Sequence, residues 1–447
     1  MSEQDSSLTS RQGSKVAAWN RWVLYFVIFA GLALLIDLNV QSLREVTLKA
    51  EKTPLLKDIF LPSLIWLSLV FGLTLFRTGA WLLYRPQKSL LVDQAPSMTV
   101  IIPAYNEGKM VLSSIHSVLQ AHYPHDRLEV FVVDDGSKDD TWTYIQEASE
   151  QYPGQVTAIR FPVNQGKRAA LAQGFSQGKG ELFVTIDSDS VIDSGALLAL
   201  AAPFRNPRVG AVAGKVSVYN QEQGALPRML HTRFVLTFDV MRAVESQYGT
   251  VYCTPGALSA YRAEGVRRVL DRWLNQSFLG SKCTFGEDRA LTNYLLAEGY
   301  DTRYQSSAVV HTIVPDTYKK MTKMFLRWDR SYVREEIRFL KIVWARPWGA
   351  RLLAMFDRLT TNLKFPAGFL GVLSLLLIAS ENPSYWGRSA LILLFVAIFN
   401  SLYYLRSEPS IKGFFHSIGF SLYSTFTMWW IMPYAFFTVR AKGWLTR

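Results

Sequence analysis

From Met98 onward, short β-branched runs alternate with helical stretches, and this order constrains the fold more than any other feature of the chain. Thr99–Ile102 reads as a strand, Lys109–His122 as a helix and Val130–Val133 as a strand. A helix over Thr141–Gln151, a strand near Ala158–Phe161, a helix over Lys167–Gln177 and a strand over Leu182–Ile186 follow. Consecutive parallel strands need crossovers on the order of a dozen residues, usually helical, and each predicted helix supplies one. The pattern predicts an α/β domain with a mostly parallel sheet and helices on both faces.

Ligands of such sheets bind beyond the carboxyl ends of the strands, so the residues that follow each strand carry the chemistry. They are Pro103–Glu107, Asp134-Asp135-Gly136-Ser137, Asn164-Gln165-Gly166-Lys167-Arg168 and Asp187-Ser188-Asp189. Alone, an Asp-Asp-Gly-Ser is ordinarily a turn with a helix cap, and an Asp-x-Asp arises often by chance. After successive strands of one sheet, the ordered set points to a single polar rim. Further along, Phe278–Asn293 presents the acid pair Glu287 and Asp288 immediately before an amphipathic run, and Arg327-Trp328 lies about forty residues beyond it.

Apolar residues are 49% of the chain and unevenly spread. Trp22–Ile36, reaching Val40 if Asp37 sits at an interface, and Ile59–Phe76 precede the alternating region, and Phe365–Ala379, Ser389–Leu405 and Phe414–Val439 follow it. A helix crosses the hydrocarbon layer with about 20 mostly apolar residues, and Trp386, Tyr403 and Trp444 suit interfacial anchors. The expected organisation is a cytoplasmic tail over 1–21, two transmembrane helices within 22–84, an α/β domain over 96–316, interfacial amphipathic helices over 317–364, about three spans within 365–439 and a basic tail over 440–447. No small-residue cleavage site follows the first block, so it is expected to be retained. Three downstream spans would leave Arg440, Lys442 and Arg447 outside, against the positive-inside tendency; either Phe414–Val439 re-enters at Pro433 or the span count differs by one.

Lys and Arg number 48 against 36 Asp and Glu, a net charge of +12. That balance suits an anionic partner such as a phospholipid face or a nucleotide and does not by itself indicate nucleic acid. The two cysteines, Cys253 and Cys283, have no metal-ligand spacing and are expected to be small apolar fillers near the site.

These residues resemble inverting family 2 glycosyltransferases, whose nucleotide-binding fold is called GT-A. More narrowly, the chain resembles membrane-integrated hyaluronan synthases and, nearly as well, nodulation-type chitin-oligosaccharide synthases. The resemblance covers Thr99 to about Arg338 and is carried by Asn164–Arg168, Gly256–Arg262, Asn275–Gly280, Gly286–Arg289, Val314–Asp316 and Arg327–Glu335. It departs at one position: processive members carry Gln-x-x-Arg-Trp, and here Met324 stands where the glutamine would be.

What the resemblance implies is a GT-A-like domain embedded between transmembrane helices of the plasma membrane, facing the cytosol where nucleotide sugars are. The implied activity is processive polymerisation from UDP-sugar donors, UDP-N-acetylglucosamine with or without UDP-glucuronate, onto a growing polysaccharide acceptor, hyaluronan or similar, with extrusion through the bilayer. No nucleic-acid partner is expected. A chitin-oligosaccharide or poly-N-acetylglucosamine synthase, a single-addition transferase on a lipid-linked acceptor, and a silent nucleotide-binding scaffold are the competing readings. A diphosphate leaving group calls for Mg²⁺ or Mn²⁺ held by one or two carboxylates; Asp189 is the expected ligand, with Asp187 toward ribose or uracil. Asp134 or Asp135 would accept from the uracil imide, Tyr105 would lie on the base, and Lys167 and Arg327 would contact nucleotide and diphosphate. Asp288 is the expected base for the attacking hydroxyl, with Trp328 and Glu287 on the acceptor side.

Overall fold

The computed structural model describes residues 54–381 and 383–441, together with positions 22–23, 26–27, 29–31 and 33–34. The expected tail over 1–21, the end of the first apolar block and most of the basic tail lie outside the described residues. The chain divides into two compact units, one from Leu83–Ala354 with the segment from Met428 onward, the other from the residues up to Leu82 with Met355–Thr427.

The first unit is built on an eight-stranded sheet. Its strands are β1 (Met98–Ala104), β2 (Leu128–Asp134), β3 (Val156–Arg160), β4 (Leu182–Thr185), β5 (Ser190–Ile192), β6 (Val209–Val218) and β7 (Ser259–Arg262), with β10 (Asp301–Thr312) after a small β8–β9 ribbon, Ser277–Phe278 with Ser281–Lys282. The order is β3-β2-β1-β4-β7-β6-β10-β5. β3, β2, β1 and β4 are parallel, and β6 and β10 run the same way; β7 and β5 are antiparallel to their neighbours. Every residue of β1 is buried, as a parallel strand covered on both faces requires. The expected helices appear at Met110–Leu119, Thr141–Gln151 and Lys167–Gln177.

Strand order reverses at β1, where β2 and β3 lie to one side and β4 to the other, and this leaves a crevice beyond the carboxyl ends of β1 and β4. Under it, Phe175, Phe183, Tyr261 and Trp273 form an aromatic cluster, with ring centroids 5.3, 6.4 and 5.8 Å from Phe175. Burying such side chains stabilises by about 1.5–3 kcal/mol each, which ties the Lys167–Gln177 and Ala263–Leu274 helices to the sheet. Beyond β10 the chain enters the amphipathic Tyr318–Ile342 helix, which opens on Thr317 as cap. The Ile431–Phe437 helix packs on it, with Arg330 Nε and Nη2 donating to Thr438 Oγ1 at 3.1 and 3.0 Å.

In the second unit, the Pro54–Leu83 helix carries Arg77, whose Nε and Nη2 donate to fully buried Asp357 at 2.9 and 2.7 Å. The Ser384–Ser407 and Ile411–Thr427 helices pack side by side, and Ser389–Ser407 is long and apolar enough to cross a membrane. Two of the expected apolar blocks have other helix boundaries than the sequence reading gave them. Phe365–Ala379 belongs to a longer helix, Trp348–Glu381, that continues through Pro366. The Phe414–Val439 block is interrupted at 428–430, ahead of Pro433, which lies inside the helix that follows. Proline is tolerated in a first helical turn, where its missing N–H has no intrahelical acceptor.

Candidate active site

One side of the rim, the side expected to take the donor, is assembled from strand ends. β1 leads into Tyr105-Asn106, and the loops after β1 and β2 clasp each other: Asn106 N donates to Ser137 Oγ at 3.0 Å and Lys138 N to Asn106 Oδ1 at 2.9 Å. Asp134 is completely buried. Its Oδ1 accepts from Ser137 N at 3.0 Å, while Oδ2 lies 3.3 Å from Arg160 Nε at an angle that makes an ion pair without a hydrogen bond. Asp135 is spent differently, its two oxygens accepting from Gln165 N at 2.7 Å and Gly166 N at 2.8 Å. Burial, with the charge of Asp134 adding, raises Asp135 above its ordinary range against the pull of those amides. Asp134 Oδ2 thus has an ion pair but no hydrogen-bond donor, whereas each Asp135 oxygen has one.

Lys167 opens its helix and ion-pairs with Asp187, just past the end of β4, with Glu287 Oε1 3.4 Å away. Burial disfavours its charge, but Asp187 and Glu287 outweigh burial and hold the ammonium protonated. Gly256 is explained here: a Cβ would stand 2.7 Å from Lys167 Nζ and 3.2 Å from Asp187 Oδ1. Asp189 accepts from Ser190 Oγ and from Thr312 Oγ1 on β10, each at 3.3 Å. Among the described residues no group of three or more His, Cys, Asp or Glu forms a metal cage. Asp189, with Asp187 two residues away, offers carboxylate oxygens of the kind that would hold a hard divalent ion.

The other side, expected to face the acceptor, comes from Gly286–Asp288. Gly286 is left-handed, at φ +74°, and caps the Glu287–Ala297 helix. A side chain there would also collide with Ser331 Cβ and come within 2.8 Å of Arg334 Nη2, so glycine is required twice over. Glu287, expected toward the acceptor, is buried and turned onto Lys167. Burial pushes its carboxyl up, yet Lys167, Arg327 and Arg168 prevail and hold it below its ordinary range. Asp288 goes the other way: burial and then the neighbouring Glu287 charge raise it, only partly offset by Lys167. Its Oδ1 accepts from Arg289 N at 2.7 Å and its Oδ2 faces Cys253 Sγ at 3.6 Å. Burial pushes the Cys253 thiol up to about 12, so it stays a protonated donor. One ionised carboxylate beside one that takes up a proton readily is the division of labour an acid–base site needs.

The Tyr318–Ile342 helix brings Arg327, whose charge acts on Glu287, and Trp328, which is 37% exposed and braced by Phe325 and Phe234 at 5.4 and 6.1 Å between centroids. Met324 is buried on the same helix. Thus Asp187 and Glu287 both pair with Lys167, whose charge also acts on Asp288, while Asp134, Asp135 and Asp189 are tied to Arg160, the Gln165 and Gly166 amides and Thr312 respectively. Sequence reasoning missed Cys253 as a contact of Asp288, and it missed the buried layer of Arg168, Gln276, Asn293, Arg334 and Glu335 behind the acid pair. The signal for that layer was that these residues sit inside or beside the quoted motifs.

Residues 99–270 match the family described as glycosyl transferase family 2. Over 79% of its length the chain is 32% identical to an N-acetylglucosaminyltransferase of Rhizobium meliloti (strain 1021), covering 82% of that protein. It is 31% identical to a hyaluronan synthase of Streptococcus pyogenes over 83% of this chain and 87% of the relative. A mannosyltransferase of Pyrobaculum calidifontis, solved with GDP-Man and Mn²⁺, shares the fold at TM-score 0.59 and 20% identity, covering 81% of this chain and 99% of its own. The fold is GT-A-like and the chain is a glycosyltransferase. It belongs to glycosyl transferase family 2.

Proposed function

We propose that this enzyme is an inverting, processive β-glycosyltransferase that builds an N-acetylglucosamine-containing polysaccharide, hyaluronan or a close relative, from UDP-sugars. The observation that carries the reading is the junction of donor and acceptor sides at Lys167, Glu287 and Asp288. Asp288 takes the proton of the acceptor hydroxyl as its oxygen attacks the anomeric carbon, and the bond to UDP breaks on the opposite face. Glu287 keeps Lys167 in place and holds the proton away from itself. Asp134 accepts from the uracil imide, Asp135 shapes the loop beneath it, Tyr105 covers the base and Asp187 meets the ribose. Lys167 and Arg327 bind the diphosphate, and Trp328 offers its exposed face to the acceptor sugar. Asp189 holds Mg²⁺ or Mn²⁺, which would neutralise charge developing on the diphosphate.

The apolar Ser389–Ser407 stretch, with Leu391, Leu393 and Val396 exposed, supports residence in a membrane, with the catalytic unit on the side that holds nucleotide sugars. Purified protein supplied with UDP-N-acetylglucosamine alone, or together with UDP-glucuronate, decides the polymer. Product that needs both donors and is cut by hyaluronidase supports hyaluronan; product from the first donor alone supports the chitin-type reading, which the Rhizobium relative favours. Release of UDP with a single sugar transferred would replace the processive reading with single addition, the alternative that Met324 favours.

A further inference from the structure

Gln276 and Asn293, both distant in sequence, and the adjacent Arg334 converge on one carboxylate, that of Glu335, which is 1% exposed. Gln276 Nε2 donates to its Oε1 at 2.6 Å, and Asn293 Nδ2, from the helix that Glu287 and Asp288 begin, donates to its Oε2 at 3.0 Å and to its backbone carbonyl at 3.1 Å. Arg334 Nε donates to Oε1 at 3.1 Å, and Arg334 Nη2 reaches Phe285 O, one residue before the left-handed Gly286, at 2.6 Å. On the far side of Gln276, Oε1 accepts from Arg168 Nη1 at 2.8 Å, and Arg168 follows Lys167 directly. Trp273 Nε1 closes the ring by donating to Glu287 O at 2.9 Å.

We infer that Glu335, with Arg334, is a positioning device that locks the Asp288 loop to the helix carrying Arg327 and Trp328, and through Gln276 and Arg168 to the start of the Lys167 helix. The inference rests on the polymerase reading above. None of these groups faces the reacting atoms as Asp288 does; they set where Asp288 stands relative to the diphosphate cation and the acceptor platform. A buried carboxylate with this many donors is held in one orientation, since each donor would otherwise be left unpaired in a dry environment. Eight residues, rather more than two helical turns, separate Arg327 from Glu335, so any tilt at Glu335 is transmitted along a rigid helix to Arg327 and Trp328.

Such a device predicts a specific fault. When it loosens, UDP-sugar still binds and is still cleaved by water, but transfer to a sugar hydroxyl suffers, because that step alone needs Asp288 and the acceptor in register. Glu335→Gln is therefore expected to lower kcat for polymer by about 10- to 100-fold, the scale of small misplacements in a site, with donor KM within about threefold. The ratio of sugar incorporated to UDP released should fall with it, and Glu335→Asp should restore part of that ratio. Arg334→Lys, which keeps the charge and loses the fork, should show the same split and serves if Glu335→Gln does not fold. Incorporation and UDP release falling by one common factor, in step with the amount of folded protein, would overturn the assignment, as would a ratio unchanged in both variants. Wild-type protein that makes no polymer in the same assay would instead sink the polymerase reading, so the two failures are distinguishable.

Discussion

The donor half of the rim and its acceptor half are held together by different forces. On the donor side Asp134 and Asp135 lean on backbone amides, of Ser137 three residues on and of Gln165 thirty residues on, whereas Asp189 is held by a side chain from far away, Thr312. On the acceptor side the holding groups are buried side chains from distant segments, with Gln276 and Glu335 separated by 59 residues and Arg168 and Gln276 by 108. A backbone amide is always present wherever the chain turns, so the donor half depends mainly on strand order and turn geometry. The acceptor half depends on side-chain identity at every link, and loss of one partner there leaves a buried charge uncompensated, at a cost of about 3–5 kcal/mol. Binding of nucleotide should thus be mutationally tolerant where sugar transfer is brittle.

The sharpest break of that contrast is Asp288→Asn. Loss of the base should reduce polymer synthesis by about 10²- to 10⁴-fold, while UDP-sugar affinity measured by calorimetry stays near wild type. The same variant separates function from stability. Because Asp288 is raised by burial and by Glu287, its contribution to stability is full below the unfolded pKa and is lost as pH rises through the folded one. Asn should accordingly raise Tm at neutral pH, and the gain should vanish on acidification. Glu287 is depressed; its contribution is present above the unfolded pKa and lost as pH falls through the folded one, so Glu287→Gln should lower Tm at neutral pH. In wild type, the acid limb of kcat/KM should lie at higher pH than an ordinary aspartate would give; a limb at the ordinary position would take the base role from Asp288.

Gly286→Ala should come next. A non-glycine residue in the left-handed region costs on the order of 1–3 kcal/mol, and the collision with Ser331 and Arg334 adds to it. The expected result is a lower Tm and little polymer with UDP affinity retained; lost UDP affinity at an unchanged Tm would mean that the two halves are not separable.

Asp189→Ala tests the donor half. UDP affinity in Mg²⁺ or Mn²⁺ should fall about tenfold, the scale of a lost charged contact, and should hardly change in EDTA. Equal losses in both conditions would point to direct nucleotide contact instead of a metal.

The smallest effect is expected at Met324, which is 6% exposed. Met324→Leu should cost less than about 1.5 kcal/mol, as volume-conserving swaps do, whereas Met324→Gln buries an amide and should cost about 1–3 kcal/mol if it finds no partner. Longer product and an unchanged Tm in the glutamine variant would show that the acceptor site has a place for that amide.

The difference between the halves also explains what the sequence disclosed. Strands, crossovers and the residues after each strand were readable because hydrophobic period and turn chemistry are local; Thr141–Gln151 and Lys167–Gln177 were bounded as observed. Asp135 was readable as a site residue but not as a loop brace, since its partners are amides that any sequence carries. Glu335 and Arg168 were visible only as letters within motifs, because their purpose lies in pairings across long separations. Cys253 looked like an apolar filler for the same reason, its contact with Asp288 spanning 35 residues. A break in the Phe414–Val439 block was legible from Pro433 and the charge balance, but its place at 428–430 was not, because hydropathy alone does not say where one helix ends and the next begins.

The account stands or falls on whether one site elongates a chain, and product length at low donor conversion measures that most directly. With purified protein, labelled UDP-N-acetylglucosamine and UDP-glucuronate each tried alone and together, and the reaction stopped after a few per cent of donor is used, a processive enzyme gives few, long chains beside unused acceptor. We predict that distribution, with one sugar incorporated for each UDP released. Products extended by a single sugar on every acceptor, with no long chains as conversion rises, would contradict it.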